Sequence, residues 1–188
     1  RFKTAARTKA VKEHADEQGY EDTTVEEIIE LSGTSKGSFY HYFDGKDALL
    51  STLSSLFDEK YEELTGLLTP EMTAMEQLLF LNRELFHMIE DSISLDLLAR
   101  LYSTQLTTNG EKHLLDHNRI YYKLLRKIIA KGQDDGQLSC RSNVNEMVKL
   151  YALCERALLY DWCLCAGEYA LTEYSAKVLP GFLSSFLP

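Results

Sequence analysis

TVEEIIELSGTSKGSFYHYF, residues 24–43, is the stretch on which the reading of the fold turns. Thr24-Val25-Glu26-Glu27 has the pattern of a capping box, in which the Thr24 hydroxyl accepts from the Glu27 amide and the Glu27 carboxylate reaches back. Val25, Ile28 and Ile29 then repeat on one helical face. Gly33 supplies a residue free to take the left-handed conformation that ends a helix, and Ser35 can cap the next one. A helix, a tight glycine turn and a short second helix make a helix-turn-helix.

At about 100° per residue, Phe39 and Phe43 share one face of the second helix and are expected to bury. The opposite face centres on Gly37 and His41, flanked by Ser38 and Tyr40, with Lys36 and Tyr42 nearer the edge. Such a face suits entry into a DNA groove. Gly37 permits close approach, Lys36 brings charge, and the hydroxyls and imidazole offer hydrogen bonds to phosphates or base edges. Asp44 is a plausible cap for a further helix, and Lys46 beside that N-terminus is placed to hold a phosphate.

Working outward, the 188 residues fit one domain, or a small domain carried on a larger one. The formal net charge is −9, and residues 1–47 alone carry seven Lys and Arg against ten Asp and Glu. Indiscriminate binding to nucleic acid is therefore disfavoured, and any DNA contact must use a local patch. No apolar run is long enough to span a bilayer. The opening RFKTAARTKAV lacks the apolar core of a signal peptide, so a cytoplasmic protein is expected. The four cysteines, Cys140, Cys154, Cys163 and Cys165, form no CxxC pair and read as reduced, mostly buried thiols; the CxC at 163–165 is a weak redox or metal signal.

Only three prolines occur, and apolar residues recur at three- and four-residue spacing, so the fold class is all-α with about nine helices. The spacing predicts helices over about 3–18, 25–32, 36–43, 46–68, 71–91, 93–107, 111–133, 143–167 and 171–186, the last kinked near Pro180-Gly181. The first three are short and separated by turns. They define an N-terminal helix-turn-helix DNA-binding domain over residues 1–47, ahead of a C-terminal helical ligand-binding and dimerisation domain over 48–188.

Residues 20–49, YEDTTVEEIIELSGTSKGSFYHYFDGKDAL, resemble the N-terminal signature of the tetracycline-repressor family of bacterial transcription regulators. The match runs through Gly19-Tyr20, Thr24-Val25, Ile28, Gly33, Ser35, Lys36-Gly37, Phe39-Tyr40, Tyr42-Phe43, Lys46 and Leu49. It departs at Thr34, where the family usually has an apolar residue, and over residues 6–15, whose inward side chains are small. The resemblance implies a homodimer whose first three helices bind operator DNA. It places DNA contacts on Lys36, Gly37, Ser38, Tyr40, His41 and Tyr42, with Lys46 and Thr24 on phosphates. It also implies a variable ligand pocket in the C-terminal helices and a dimer interface built from the last two.

The larger domain offers candidates of its own. Tyr61, His87, Tyr102, His117, Tyr121, Cys154 and Trp162 are polarizable or amphipathic groups in apolar helices, a set able to line a mostly apolar pocket for an effector. The bland alternative for each is core packing. His113 and His117, four apart on an expected helix, have a metal-compatible spacing without a third ligand, so no metal is assigned. Residues 143–167 and 171–187 are apolar around much of their circumference, which a second copy of the chain would bury.

These features point to a ligand-responsive, homodimeric transcriptional regulator, a repressor released from operator DNA by a small molecule. The alternative is a small-molecule-binding or scaffolding protein with a degenerate helix-turn-helix. No nucleophile elbow, phosphate loop or catalytic carboxylate pair is present, so neither an enzyme nor a cofactor is expected. The effector expected from this composition is mainly apolar or aromatic, with one or two polar groups.

Overall fold

The computed structural model describes residues 24–31, 35–37, 46–107 and 112–188. The helices are α1 (Val25–Leu31), α2 (Lys46–Thr65), α3 (Ala74–Ser92), α4 (Leu95–Thr107), α5 (Ile120–Asp134), α6 (Val144–Leu164) and α7 (Leu171–Leu183). Short 3-10 turns cover His113–Leu115 and Ser184–Phe186. Among the described residues there is no strand.

Two compact units divide the chain. One takes the residues up to Leu56 with Ser92–Asp116, and the other takes Phe57–Asp91 with His117–Pro188. In the first unit α4 buries Leu97, Leu98 and Leu101. The Gln105 side chain accepts from the Leu114 amide at 3.2 Å, and its backbone carbonyl accepts from Lys112 at 2.7 Å, so the 3-10 turn is held to the end of α4. In the second unit α5 packs on α6 and α6 on α7. The largest fully buried side chains are Tyr61, Tyr122, Tyr151, Phe86, Leu64, Leu78 and Leu81. Helix α2 contributes to both units.

Most helices start where the side chains dictate. Before α3, Thr73 and Glu76 form a capping box: the Glu76 amide donates to Thr73 Oγ1 at 3.2 Å, and the Thr73 amide donates to the Glu76 carboxylate at 2.7 Å. The helix therefore starts at Ala74, where the spacing alone predicts residue 71. Asn143 caps α6 by accepting from the Glu146 amide at 3.0 Å. At the end of α5, Gly136 takes φ +71° and the Gln137 amide donates to the Gly132 carbonyl at 2.8 Å, a left-handed stop. Pro180 is accommodated inside α7, which runs on to Leu183.

The helix expected over 111–133 is the main departure. Residues 113–115 form a 3-10 turn, and α5 starts only at Ile120. Its N-terminus is capped from another helix. Asp58 on α2 accepts from the Tyr121 amide at 3.4 Å and from Arg119 Nε and Nη2 at 3.1 and 3.0 Å. That cap comes from 63 residues away and leaves no local mark. His113 and His117 accordingly lie outside any shared α-helical face.

Candidate functional site

At the N-terminal end, Thr24 and Glu27 make the expected reciprocal cap: the Glu27 amide donates to Thr24 Oγ1 at 3.2 Å, and the Thr24 amide donates to Glu27 Oε2 at 2.6 Å. The Thr24 hydroxyl also donates to that carboxylate, at 2.8 Å. Ser35, Lys36 and Gly37 are exposed, the last two helical. Among the described residues, nothing lies within 4 Å of a Cβ placed on Gly37. Lys36 donates to Glu26 on α1 at 2.7 Å, which holds the Glu26 carboxyl below its usual range. Lys46 is the first residue of α2. Ser38, Tyr40, His41 and Tyr42 lie outside the described residues.

The second unit encloses a polar cluster in its apolar core. Glu155 on α6 is 4% exposed. Its Oε2 accepts from the Tyr121 hydroxyl at 2.7 Å and its Oε1 from Asn82 Nδ2 at 2.9 Å. Asn82 Oδ1 in turn accepts from the Ser175 hydroxyl at 2.5 Å, bringing α7 into the network. The Tyr151 hydroxyl donates to the Leu78 carbonyl at 2.9 Å and also lies against the Glu155 carboxyl. The Tyr61 and Tyr121 rings lie 5.0 Å apart, tilted by 41°, and the Tyr121 and Tyr122 rings meet edge-on at 4.8 Å. Burial pushes the Glu155 carboxyl up against the opposing pull of its hydrogen bonds, and pushes the Tyr121 and Tyr151 hydroxyls well up. The cluster thus holds few mobile charges and many fixed hydrogen bonds.

Of the effector-site candidates, Tyr61 and Tyr121 meet in this cluster, and Cys154 is buried next to Glu155 in sequence. Trp162 is buried near the end of α6, where its Nε1 donates to the Tyr169 carbonyl at 2.9 Å and pins the α6–α7 turn. His87 stands on the outer face of α3 beside Asp91, with its side chain 64% exposed. His117 is exposed, its ring 4.7 Å from that of Tyr122. Tyr102 is half-buried in the first unit. Residue type and helical spacing miss Asn82, Glu155 and Ser175. A charged residue at an inward position of α6 is the signal that could have found Glu155.

The cysteines are less buried than expected: Cys154 is buried, Cys163 and Cys165 are half-buried and Cys140 is exposed. Desolvation pushes the Cys154 and Cys163 thiols up to about 11, away from thiolate chemistry. Among the described residues no group of three or more His, Cys, Asp or Glu is arranged to hold a metal ion. No helix among them is long and apolar enough to cross a membrane.

The outer faces of α6 and α7 carry Leu153, Tyr160, Leu164, Tyr174 and Val178, all exposed. Leu153, Tyr160 and Leu164 follow one another at seven and four residues, and Tyr174 and Val178 at four, so each set forms one stripe.

Residues 9–53 match the model of the bacterial regulatory proteins of the tetR family. No curated protein matches the sequence. Among solved structures, the transcriptional regulator FadR from Bacillus subtilis in complex with stearoyl-CoA is similar with TM-score 0.75 and 21% identity, over 97% of this chain and 98% of that one. FadR from Thermus thermophilus, a TetR-family repressor in complex with lauroyl-CoA, gives 0.75 and 23%, over 98% and 95%. The regulatory protein TetR from Rhodobacter sphaeroides gives 0.67 and 18%, over 97% and 98%. At these identities the likeness establishes the fold.

Proposed function

We propose, from the match of residues 9–53 to the tetR family of bacterial regulatory proteins, that the chain is a DNA-binding transcriptional regulator of that family, acting as a homodimeric repressor released from operator DNA by a small molecule. One observation supports this above the others: α2 belongs to both units. It starts at Lys46 and buries Phe57, Tyr61 and Leu64 in the second unit, beside the Glu155 cluster. A ligand that rearranges that cluster acts on the same rigid element that leads to the DNA-binding residues.

The first 47 residues are the DNA-binding domain and residues 48–188 the ligand-binding and dimerisation domain. Operator contacts fall on Ser35, Lys36, Gly37, Ser38, Tyr40, His41 and Tyr42, with Thr24 and Lys46 on phosphates. The open space around Gly37 supports close approach to DNA. Lys36 must exchange Glu26 for a phosphate, which favours a contact that is sensitive to salt. The exposed stripes on α6 and α7 are the surface that residues 143–187 of a second copy would cover. Two of the similar structures hold a long-chain acyl-CoA, which makes a molecule with a long apolar tail a reasonable effector class here. The protein would act in the cytoplasm, where its operator lies.

Linkage provides the test. A ligand releases DNA only by binding the DNA-incompetent form more tightly, so operator DNA must weaken ligand binding by the same factor. Calorimetry with and without operator DNA should show a difference of about 5- to 150-fold. Equal affinities would remove the ligand switch. Failure to bind DNA in a salt-sensitive way would favour a binding or scaffolding protein with a degenerate helix-turn-helix.

A further inference from the structure

A groove of about 630 Å³ opens between the start of α3 and the face of α7 that carries Thr172, Ala176 and Pro180. That is within the range of about 300–1,000 Å³ occupied by small-molecule sites. Met72, Leu79, Phe80, Ala176 and Pro180 supply apolar walls. The groove also reaches Asn82, which is 3% exposed and whose amide donates to the buried Glu155 carboxyl. One side chain therefore separates an open groove from a carboxyl group in the core. On α7, Thr172, Ala176 and Pro180 lie roughly opposite the stripe of Tyr174 and Val178, so dimerisation through that stripe leaves the groove face clear.

The chemistry at both ends of this path favours one class of ligand. At the rim, Glu71 and Glu76 stand against a single cation, Arg83, which is itself bonded to Glu84 at 2.8 Å. At the inner end, the hydroxyls of Tyr121 and Tyr151 lie against Glu155, with the Tyr61 ring 5.0 Å from that of Tyr121. A carboxylate beside two tyrosine rings is a setting in which an ammonium group gains both ion pairing and cation–π attraction. A cation placed there would also stabilise the charged form of Glu155 that burial now disfavours.

We propose that the groove and the carboxylate behind it form a binding site for an amphipathic organic cation, with its apolar chain along Met72, Leu79 and Phe80 and its ammonium group on Glu155, in the place now held by the Asn82 amide. Asn82 is then the gate. Its release frees Ser175 on α7, and the head group contacts Tyr121 and Tyr61, the latter on α2. The inference deepens the reading of the chain as a ligand-responsive regulator by naming the class of effector. It differs from the acyl-CoA seen in similar structures in the sign of the head-group charge.

The experiment is calorimetric titration of the full chain, without DNA, with two probes of equal chain length below their micelle concentrations: dodecyltrimethylammonium and dodecanoate. The cation is expected to bind at least about ten-fold more tightly, a difference of about 1.4 kcal/mol. Glu155→Gln should erase that preference. Ala176→Trp, which fills the groove from an exposed position, should weaken the cation in a chain whose carboxylate cluster is intact. Equal or tighter binding of dodecanoate, no binding of the cation, or an unchanged preference in a folded Glu155→Gln protein overturns the proposal. The wild-type comparison needs no variant to fold. Because DNA is absent, failure of the regulator reading would leave this result standing, and failure here would leave the DNA linkage test untouched.

Discussion

Single residues set sharp limits in the second unit. A Cβ on Gly132 would lie 2.6 Å from Ala74 Cβ and 2.8 Å from Leu138 Cδ1. Alanine gains about 1 kcal/mol over glycine inside a helix, but the first of these neighbours is a rigid Cβ, and overpacking costs about 1–3 kcal/mol. Gly132→Ala should therefore lose up to about 2 kcal/mol net in urea unfolding, where an open helix site would gain. Glu155 makes a second case. Burial raises its folded pKa above the ordinary value of 4.5. Its contribution to stability is therefore fully present below the ordinary carboxyl range and is lost as pH rises through the folded value. Glu155→Gln lacks that titration. Thermal melts of the two proteins should show the variant gaining on the wild type as pH rises above the ordinary carboxyl range.

Whole elements are tied by bonds that span long stretches of chain. Asp58 and Arg119 are 18% and 10% exposed at their side chains, and their two-bond pairing joins α2 to the start of α5. Asp58→Ala removes that pairing together with the cap on the Tyr121 amide. Breaking one side of a mostly buried pair costs about 3–5 kcal/mol, reduced here by the remaining exposure to about 2–4 kcal/mol. The double variant Asp58→Ala/Arg119→Ala should cost less than the sum of the two single changes, which a double-mutant cycle reads directly. At the other end of the unit, the Glu90 carboxylate on α3 accepts from the Thr172 amide at 3.0 Å, the Leu171 amide at 2.5 Å and the Thr172 hydroxyl. A carboxylate at a helix N-terminus satisfies donors that the helix cannot. It also fixes α7, the helix that bears both the groove face and a proposed dimer stripe.

For the whole molecule, the proposed association of two copies is the property to test. Leu153, Tyr160 and Leu164 on α6 are 53%, 47% and 66% exposed, more than a lone subunit has reason to leave in water as one stripe. The double variant Leu153→Glu/Tyr160→Glu should sediment as a monomer at micromolar concentration and keep its helical circular dichroism. It should bind a palindromic operator much more weakly than the wild type, since two half-sites are then read independently. A dimeric double variant would move the interface elsewhere.

The sequence by itself determined the helical class, the cap at Thr24 and Glu27 and the family resemblance, because each is written in residues three or four apart. It placed Tyr61 and Tyr121 in one candidate effector set, with core packing as the alternative for each, and in the fold both are buried with their rings 5.0 Å apart. It put His87 and His117 in the same set because residue type and helical spacing do not say which side of a helix faces the core; the fold turns both to solvent. It missed the late start of α5, whose cap is an aspartate on another helix. The Glu155, Asn82 and Ser175 network was likewise beyond local reading. Its partners are 73 and 93 residues apart, and a carboxylate amid apolar neighbours reads as an exposed residue until tertiary packing removes the water and supplies the donors.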